Sequence, residues 1–274
     1  MKKCDLHIHS NFSDSDADIE SIFKEAAAVG LSCIAITDHD TVDGLVQAKK
    51  YSKIYNIELI EAIEMSAEYN ETEVHILGYF VDSSNREFKA ELAKIKELRR
   101  QRLGWMADKL NSLGVEIDKQ ELFLNIKEAV PTRLHLALQL KKKGKVATLR
   151  EAFKKYLSPG KPAYQARLRH SVKEAIKFIK GYGGLCFLAH PHIIPNQSWV
   201  EEFISFGLDG LESVYPNMPP VKKLLYEGLA LKFKILQSGG SDVHGSFKEF
   251  IKMGEVTIPY SWVEEMKKRR CIDI

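Results

Sequence analysis

Histidines and acids in this chain collect at the ends of short apolar runs, and that placement limits the available folds more than any other feature. The clusters are Cys4-Asp5-Leu6-His7-Ile8-His9, Ser13-Asp14, Thr37-Asp38-His39-Asp40, Ala62-Ile63-Glu64, Glu73-Val74-His75, Leu188-Ala189-His190-Pro191-His192 and Gly240-Ser241-Asp242-Val243-His244. They take in seven of the nine histidines. Alternate residues of an extended strand share a face, so His7 and His9 point the same way. A lone histidine in a strand is most simply a satisfied core residue. Seven at strand ends reverse that reading, and His7, His9, His39, His75, His190 and His244 read as metal ligands.

The apolar runs alternate with helical patterns: strand 3–9, helix 18–29, strand 32–37, helix 41–55, strand 57–63 and strand 73–80. Strands separated by helices predict crossover units and a mainly parallel sheet. The first helix has a cap in Asp16 or Asp18, an apolar face in Ile19, Ile22, Phe23 and Ala26, and a stop at Gly30. From 85 to 128 the pattern changes, with Phe88, Leu92, Ile95, Leu98, Trp105, Met106 and Leu110 at helical spacing among dense charges. Helical signal continues over 132–142 and 147–156 and breaks at Ser158-Pro159-Gly160. Alternation then resumes with helix 171–180, strand 184–189, helix 198–205, strand 209–214, helix 219–231, strand 233–238, a strand-like run at 254–258 and helix 261–270. The expected fold is α/β, a barrel over 1–84 and 161–274 with a helical subdomain inserted at 85–160.

Parallel barrels place their sites at the C-terminal ends of strands, and each cluster falls at or just after the end of a predicted strand. Mixed imidazole and carboxylate donors suit zinc, manganese or iron better than calcium or magnesium. The chain of 274 residues suffices for one barrel, and its 45% hydrophobic and 28% charged content is that of an ordinary globular protein. No cationic-then-apolar leader precedes the first strand and no apolar run approaches about 18 residues, so a cytoplasmic protein without membrane attachment is expected. Cys33 and Cys186 lie in apolar runs and are expected to be small buried hydrophobes. A net charge of +3 does not argue for long duplex nucleic acid, and no obligate protein partner is evident.

Asp5-Leu6-His7-Ile8-His9-Ser10, Ser13-Asp14, Ile36-Thr37-Asp38-His39-Asp40-Thr41, Glu64-Met65-Ser66, Val74-His75-Ile76-Leu77-Gly78, Ala189-His190-Pro191 and Gly240-Ser241-Asp242-Val243-His244-Gly245 together resemble the PHP (polymerase and histidinol phosphatase) family. The likeness spans nearly the whole chain. Within the family, Thr41-Val42-Asp43-Gly44, Arg133-Leu134-His135-Leu136-Ala137, Phe153-Lys154-Lys155-Tyr156-Leu157 and Gly160-Lys161-Pro162-Ala163-Tyr164 are most similar to the nucleoside 3′,5′-bisphosphate phosphatases and the RNase AM-type 5′-to-3′ exonucleases. The resemblance implies a distorted (β/α)7 barrel holding two or three divalent ions, manganese, zinc or iron. It assigns one ion to His7, His9, Glu64 and Asp242, a second to Glu64, His75 and His190, and a third to Asp14, His39 and His244. Ser15 and Ala62 stand where the family commonly has glycine, which alters loop backbone rather than a ligand.

The implied chemistry is phosphoester hydrolysis by a metal-activated hydroxide, with Glu64 and Asp242 at its centre. His192 is the candidate proton donor to the leaving group, although a surface histidine beside Pro191 is an equal reading. Asp38 and Asp40, beside a ligand, are expected to support it, and His170 to sit at a helix start. A second phosphate needs its own cations, and Arg99, Arg102, Arg133, Lys161 and Arg167 are available. Arg133 with His135 is the first choice, and Arg99 and Arg102 read equally well as a solvated helix face. The substrate expected is a small nucleotide or a short RNA end. The alternatives are a histidinol-phosphate phosphatase and, distantly, a non-catalytic metal-bound scaffold.

Overall fold

The computed structural model describes residues 2–166, 170–247 and 250–272. Strand β1 (Lys3–Ile8) leads through α1 (Ile19–Ala28), β2 (Leu31–Ile36) and α2 (Leu45–Tyr55) to β3 (Glu58–Tyr69), which turns straight back as β4 (Thr72–Tyr79). Helices α3 (Arg86–Ser112), α4 (Lys119–Ile126), α5 (Arg133–Lys142) and α6 (Leu149–Ala152) follow, the last running into a π-helical turn at Phe153–Leu157. The chain then gives β5 (His170–Ser171), α7 (Val172–Gly181), β6 (Leu185–Leu188), α8 (Ser198–Ser205), β7 (Gly210–Val214), α9 (Pro220–Phe233), β8 (Leu236–Gly239), β9 (Ile258–Pro259) and α10 (Tyr260–Ile272).

The strands hydrogen-bond in the order β8-β7-β6-β4-β3-β2-β1-β9. The two ends of this path meet, because the Asp242 amide donates to the His7 carbonyl at 2.7 Å and the His9 amide to the Val243 carbonyl at 3.1 Å. The sheet is therefore a nearly closed barrel of seven main strands, with two-residue β9 antiparallel to β1. Closure requires a glycine at 240, where a Cβ would stand 2.4 Å from the backbone nitrogen of His7.

Two features depart from the expected pattern. The third strand does not stop at 63 but continues to Tyr69, and Asn70 and Glu71, at φ 46° and 62°, make a tight turn into β4. Two left-handed residues in a row are the hairpin solution whose twist matches its strands. β4 is accordingly antiparallel to both β3 and β6, and the sheet is mixed. Near the other end, α9 persists to Phe233, so β8 begins at Leu236 and not at 233.

The helices form for the reasons the sequence supplies. The Asp18 carboxylate accepts the Ser21 amide at 2.8 Å, Ile19, Ile22, Phe23 and Ala26 are buried, and Gly30 takes φ +75° after the last turn. Ser171 and Glu174 form a reciprocal capping box on α7, which buries Val172, Ala175, Ile176 and Ile179. Helix α3, about 40 Å long, is shared between two cores. Phe88 and Leu92 belong to the barrel core. Leu103, Met106, Ala107 and Leu110 join residues of α4 and α5, Leu157 and Ala163 in a second one. Cys33 and Cys186 are fully buried, as expected. Among the described residues no helix is long and apolar enough to cross a membrane.

Candidate metal centre

Glu64 lies at the middle of the cluster, 1% exposed. Its Oε1 is 3.5 Å from His7 Nε2, 3.1 Å from His75 Nδ1 and 3.2 Å from His190 Nε2; its Oε2 is 3.1 Å from His9 Nε2 and 3.0 Å from His39 Nδ1. Asp242 Oδ1 faces His7 Nε2 at 3.3 Å and His9 Nε2 at 3.2 Å. Asp14 completes the third corner, 3.4 Å from His244 Nε2 and 3.6 Å from His39 Nε2. All nine residues singled out as ligands converge here. Three sets, His9-Asp14-His39-His244, His7-His9-Asp242 and His39-Glu64-His75, each have ligand atoms within 4.8 Å of one another.

Strand ends supply most of them, as anticipated, but Glu64 and His75 arrive differently. Glu64 sits within the lengthened β3, paired with Leu77 across the hairpin. His75 lies in the first half of β4, whose reversed direction brings its start, not its end, to the barrel mouth. Both His190 and Asp242 take left-handed backbone, φ 31° and 52°, to aim their side chains back over the barrel. Non-glycine residues seldom adopt it, though aspartate and histidine do so more readily than most.

Partners that sequence reasoning missed hold the candidate ligands in place. Glu212, wholly buried on β7, lies 2.9 Å from His7 Nδ1 through one oxygen and accepts the His190 amide at 2.7 Å through the other. The Tyr215 hydroxyl donates to Asp242 Oδ2 at 2.6 Å. Glu73 reaches His75 Nε2 at 3.3 Å, opposite the nitrogen that faces Glu64. Carboxylates in this position fix the tautomer and aim of a ligating imidazole. Only the register of β7 against its neighbours could have exposed Glu212, whereas Glu73 was in plain view two residues before His75.

The supporting roles expected of Asp38 and Asp40 are visible. Asp38 accepts the Ser10 amide at 2.8 Å and the Ser10 and Ser13 hydroxyls, both at 2.5 Å. Asp40 accepts the Ser66 amide at 2.7 Å and pairs with Arg99 at 2.5 Å. Arg99 and Arg102 are therefore not a solvated face, and Arg99 is already engaged by Asp40. Both are 4% exposed, and Arg102 donates to the Gln165 carbonyl at 2.7 Å. The reason is that α3 turns this face into the fold, not into solvent.

Arg133 is at the first turn of α5, its guanidinium 2.7 Å from Glu73 and near the Phe153 and Tyr164 rings. It thus adjoins the cluster through the chain Arg133–Glu73–His75. His135 accepts from the Thr132 amide at 3.1 Å, and its basicity is lowered by burial, with Asp14 opposing. Lys161 is exposed on the turn after the π-helix, and no ion pair or hydrogen bond among the described residues joins its side chain to the cluster. Arg167 lies outside the described residues. His170 starts the two-residue β5, with Ser171 as the cap of α7. His192 is half-buried against the Tyr215 ring, and burial, then His190 and Lys222, lower its pKa to about 4. The direction of that shift favours the neutral imidazole.

The electrostatics favour cations at the centre. Burial alone would neutralise Glu64, yet His39, His75 and His7 hold it well below the usual carboxylate range. Asp14 is held down likewise, by His39 and His244 against burial. Burial is also opposed at His9 and His75, whose carboxylate neighbours raise both to about 9, while His39 falls to about 3 through burial despite Glu64 and Asp14. Buried anions need compensating positive charge. The Nε2 atoms of His7 and His9, Nδ1 of His39 and Oδ1 of Asp14 are buried and make no hydrogen bond. Unpartnered donor atoms of the right type, converging within a few ångströms, fit divalent metal ions.

A nearly closed barrel with such a cluster at its mouth defines a metal-dependent hydrolase. The PHP domain model matches residues 5–183, and the chain belongs to that family. It is 30% identical to a 5′-3′ exoribonuclease of Haemophilus influenzae over 99% of this chain and 96% of that one. It is 33% identical to a 3′,5′-nucleoside bisphosphate phosphatase of Chromobacterium violaceum, over 70% of this chain and 67% of the other. A crystal structure from Bifidobacterium adolescentis, assigned as a metal-dependent phosphoesterase, superposes with TM-score 0.89 at 28% identity, covering 97% of this chain and 96% of that one. The protein is a PHP-family phosphoesterase.

Proposed function

We propose that this phosphoesterase acts on nucleotides, removing the 3′-phosphate of nucleoside 3′,5′-bisphosphates and releasing nucleotides from the 5′ end of short RNA. The observation that carries the metal dependence is the convergence of five imidazoles on the two oxygens of Glu64. The similarity to a bisphosphate phosphatase and an exoribonuclease supports the nucleotide class.

Two or three ions of manganese, zinc or iron would be held by His7, His9, Asp14, His39, Glu64, His75, His190, Asp242 and His244. When bound, they would supply Lewis-acid polarisation of the phosphate ester and an acidified water. The protein's own part is to hold that geometry. Glu212 keeps His7 aimed inward, Tyr215 fixes Asp242, and Glu73 fixes His75. Arg133 holds the phosphate that is not cleaved, exchanging part of its contact with Glu73 for the substrate, while His135 and Lys161 are candidates for further substrate contact. His192, packed against the Tyr215 ring, is the candidate proton donor to the leaving group.

The test is to incubate the purified, manganese-supplied protein with adenosine 3′,5′-bisphosphate, histidinol phosphate and a short 5′-phosphorylated RNA. The bisphosphate and the RNA should be the better substrates. Preference for histidinol phosphate would overturn the nucleotide assignment, and inactivity on all three would overturn the catalytic one.

A further inference from the structure

We propose that the outer face of α9 is a self-association surface, on which a second copy of this chain seats its own α9 in parallel about a two-fold axis. Helix α9 is apolar on two opposite faces. Tyr226, Leu229 and Ala230 are buried on the side that meets β7 and β8. On the other side Val221, Leu224, Leu225 and Leu231 are 76, 67, 41 and 83% exposed. A singly exposed leucine is ordinary in a globular protein. Four large apolar side chains on one helix are not, and among the described residues no other helix exposes more than two.

The spacing of these residues decides what kind of partner fits. Val221, Leu224, Gly228 and Leu231 stand three, four and three residues apart, the alternation of a two-helix seam. With Leu225 at its edge, the seam occupies a stripe about 120° wide on the helix surface. A β-branched residue in one row and leucine in the other is the choice that favours two strands. At Gly228 a side chain would meet nothing within 4 Å, so a facing helix has room to approach closely there. The four exposed side chains present on the order of 400 Å² of apolar surface, a size at which a patch marks an interaction site. Two copies cover about 800 Å² through these side chains, roughly half of a standard interface, so flanking residues supply the rest. A dissociation constant of roughly 1–100 μM is expected from a seam of that size.

Charge selects a second copy as the occupant and sets its direction. Glu227 flanks the seam on one side, and Lys232, five residues on, flanks it on the other. In a parallel two-fold pair that spacing brings Glu227 of each copy to Lys232 of the other, twice per dimer. An antiparallel pair sets like flank against like, with Glu227 towards Glu227. Within one copy Lys232 lies 3.0 Å from Glu201 and Glu227 3.9 Å from Lys223. Both are exposed pairs that hold their partners weakly and can be exchanged. Helix α9 follows β7, whose end leads to Tyr215 and its bond to Asp242, so the first turn of α9 stands by the barrel mouth. Parallel seating therefore opens both centres of a dimer on the same side.

Sedimentation velocity of the full-length, manganese-supplied protein over about 1–200 μM tests the seam. The mass should rise from 31.2 kDa towards twice that value. Leu224→Lys and, separately, Leu231→Lys should each weaken association about tenfold or more. Both positions are exposed, and the second variant keeps the test valid if the first fails to fold. Glu227→Lys and Lys232→Glu should each weaken self-association by setting like charges together. An equimolar mixture of those two variants should restore it, because each mixed dimer faces lysine with glutamate at both flanks. A monomer at the top of the concentration range, or a dimer indifferent to both leucine substitutions, would overturn the proposal. A dimer that the leucine variants break and the mixture does not rescue would sink the parallel seating.

Discussion

Glu64 serves five imidazoles with two oxygens, so its charge, more than its shape, organises the centre. Glu64→Gln keeps the size and removes the anion; metal content by elemental analysis and turnover should fall together. Wild-type metal content and rate in that variant would remove Glu64 from the centre. At Arg133 the structure sharpens the expectation, because the guanidinium already leans on Glu73 and through it on His75. Arg133→Ala should cost about ten- to a hundred-fold in kcat/KM on a 3′,5′-bisphosphate, the loss of a charge-assisted contact of roughly 1.5–3 kcal/mol, with a much smaller effect on p-nitrophenyl phosphate. Equal losses on both substrates would mean that Arg133 acts on the metal ligand instead of on the second phosphate. The cluster was legible because histidines gathered at strand ends have little other reason to be there. Glu212 and Tyr215 were not, since Gly-Leu-Glu-Ser-Val reads equally well as a strand whose glutamate faces water.

At the scale of elements, helical period carried the reading and strand direction did not. Asn70-Glu71 lacks the glycine that commonly marks a two-residue hairpin, so nothing local announced that β4 runs backward. Helix α3 shows the opposite failure. Its apolar spacing was visible, but arginines on the buried face looked like solvent-facing charge. In the fold, Arg99 ties α3 to the loop that carries His39, donating to Asp40, to the Ser66 hydroxyl at 2.8 Å and to the Pro131 carbonyl at 3.3 Å. Removing one member of a buried pair leaves the other charge uncompensated. Arg99→Met should therefore destabilise the protein by about 3–5 kcal/mol, measured by urea unfolding. A change under about 1 kcal/mol would show that Asp40 finds another partner, and the tie between α3 and the site would then be incidental.

For the molecule as a whole, the centre is a junction where strands from both ends of the barrel path meet. If ions occupy it, they stabilise the folded state by mass action, so a chelator should lower the melting temperature and manganese or zinc should restore it. An unchanged melting temperature after metal has been stripped and its loss verified by elemental analysis would contradict that coupling. The barrel class was readable from alternation, whereas the closure at Gly240 depends on a distance that no local pattern encodes. That closure has a temporal side. A ribosome delivers His7 and His9 well before Gly240 to His244, so until β8 and the residues after it emerge the two imidazoles have no Asp242 to face them. A chain cut short before β8 has its first strand but not the seam that closes the barrel on it.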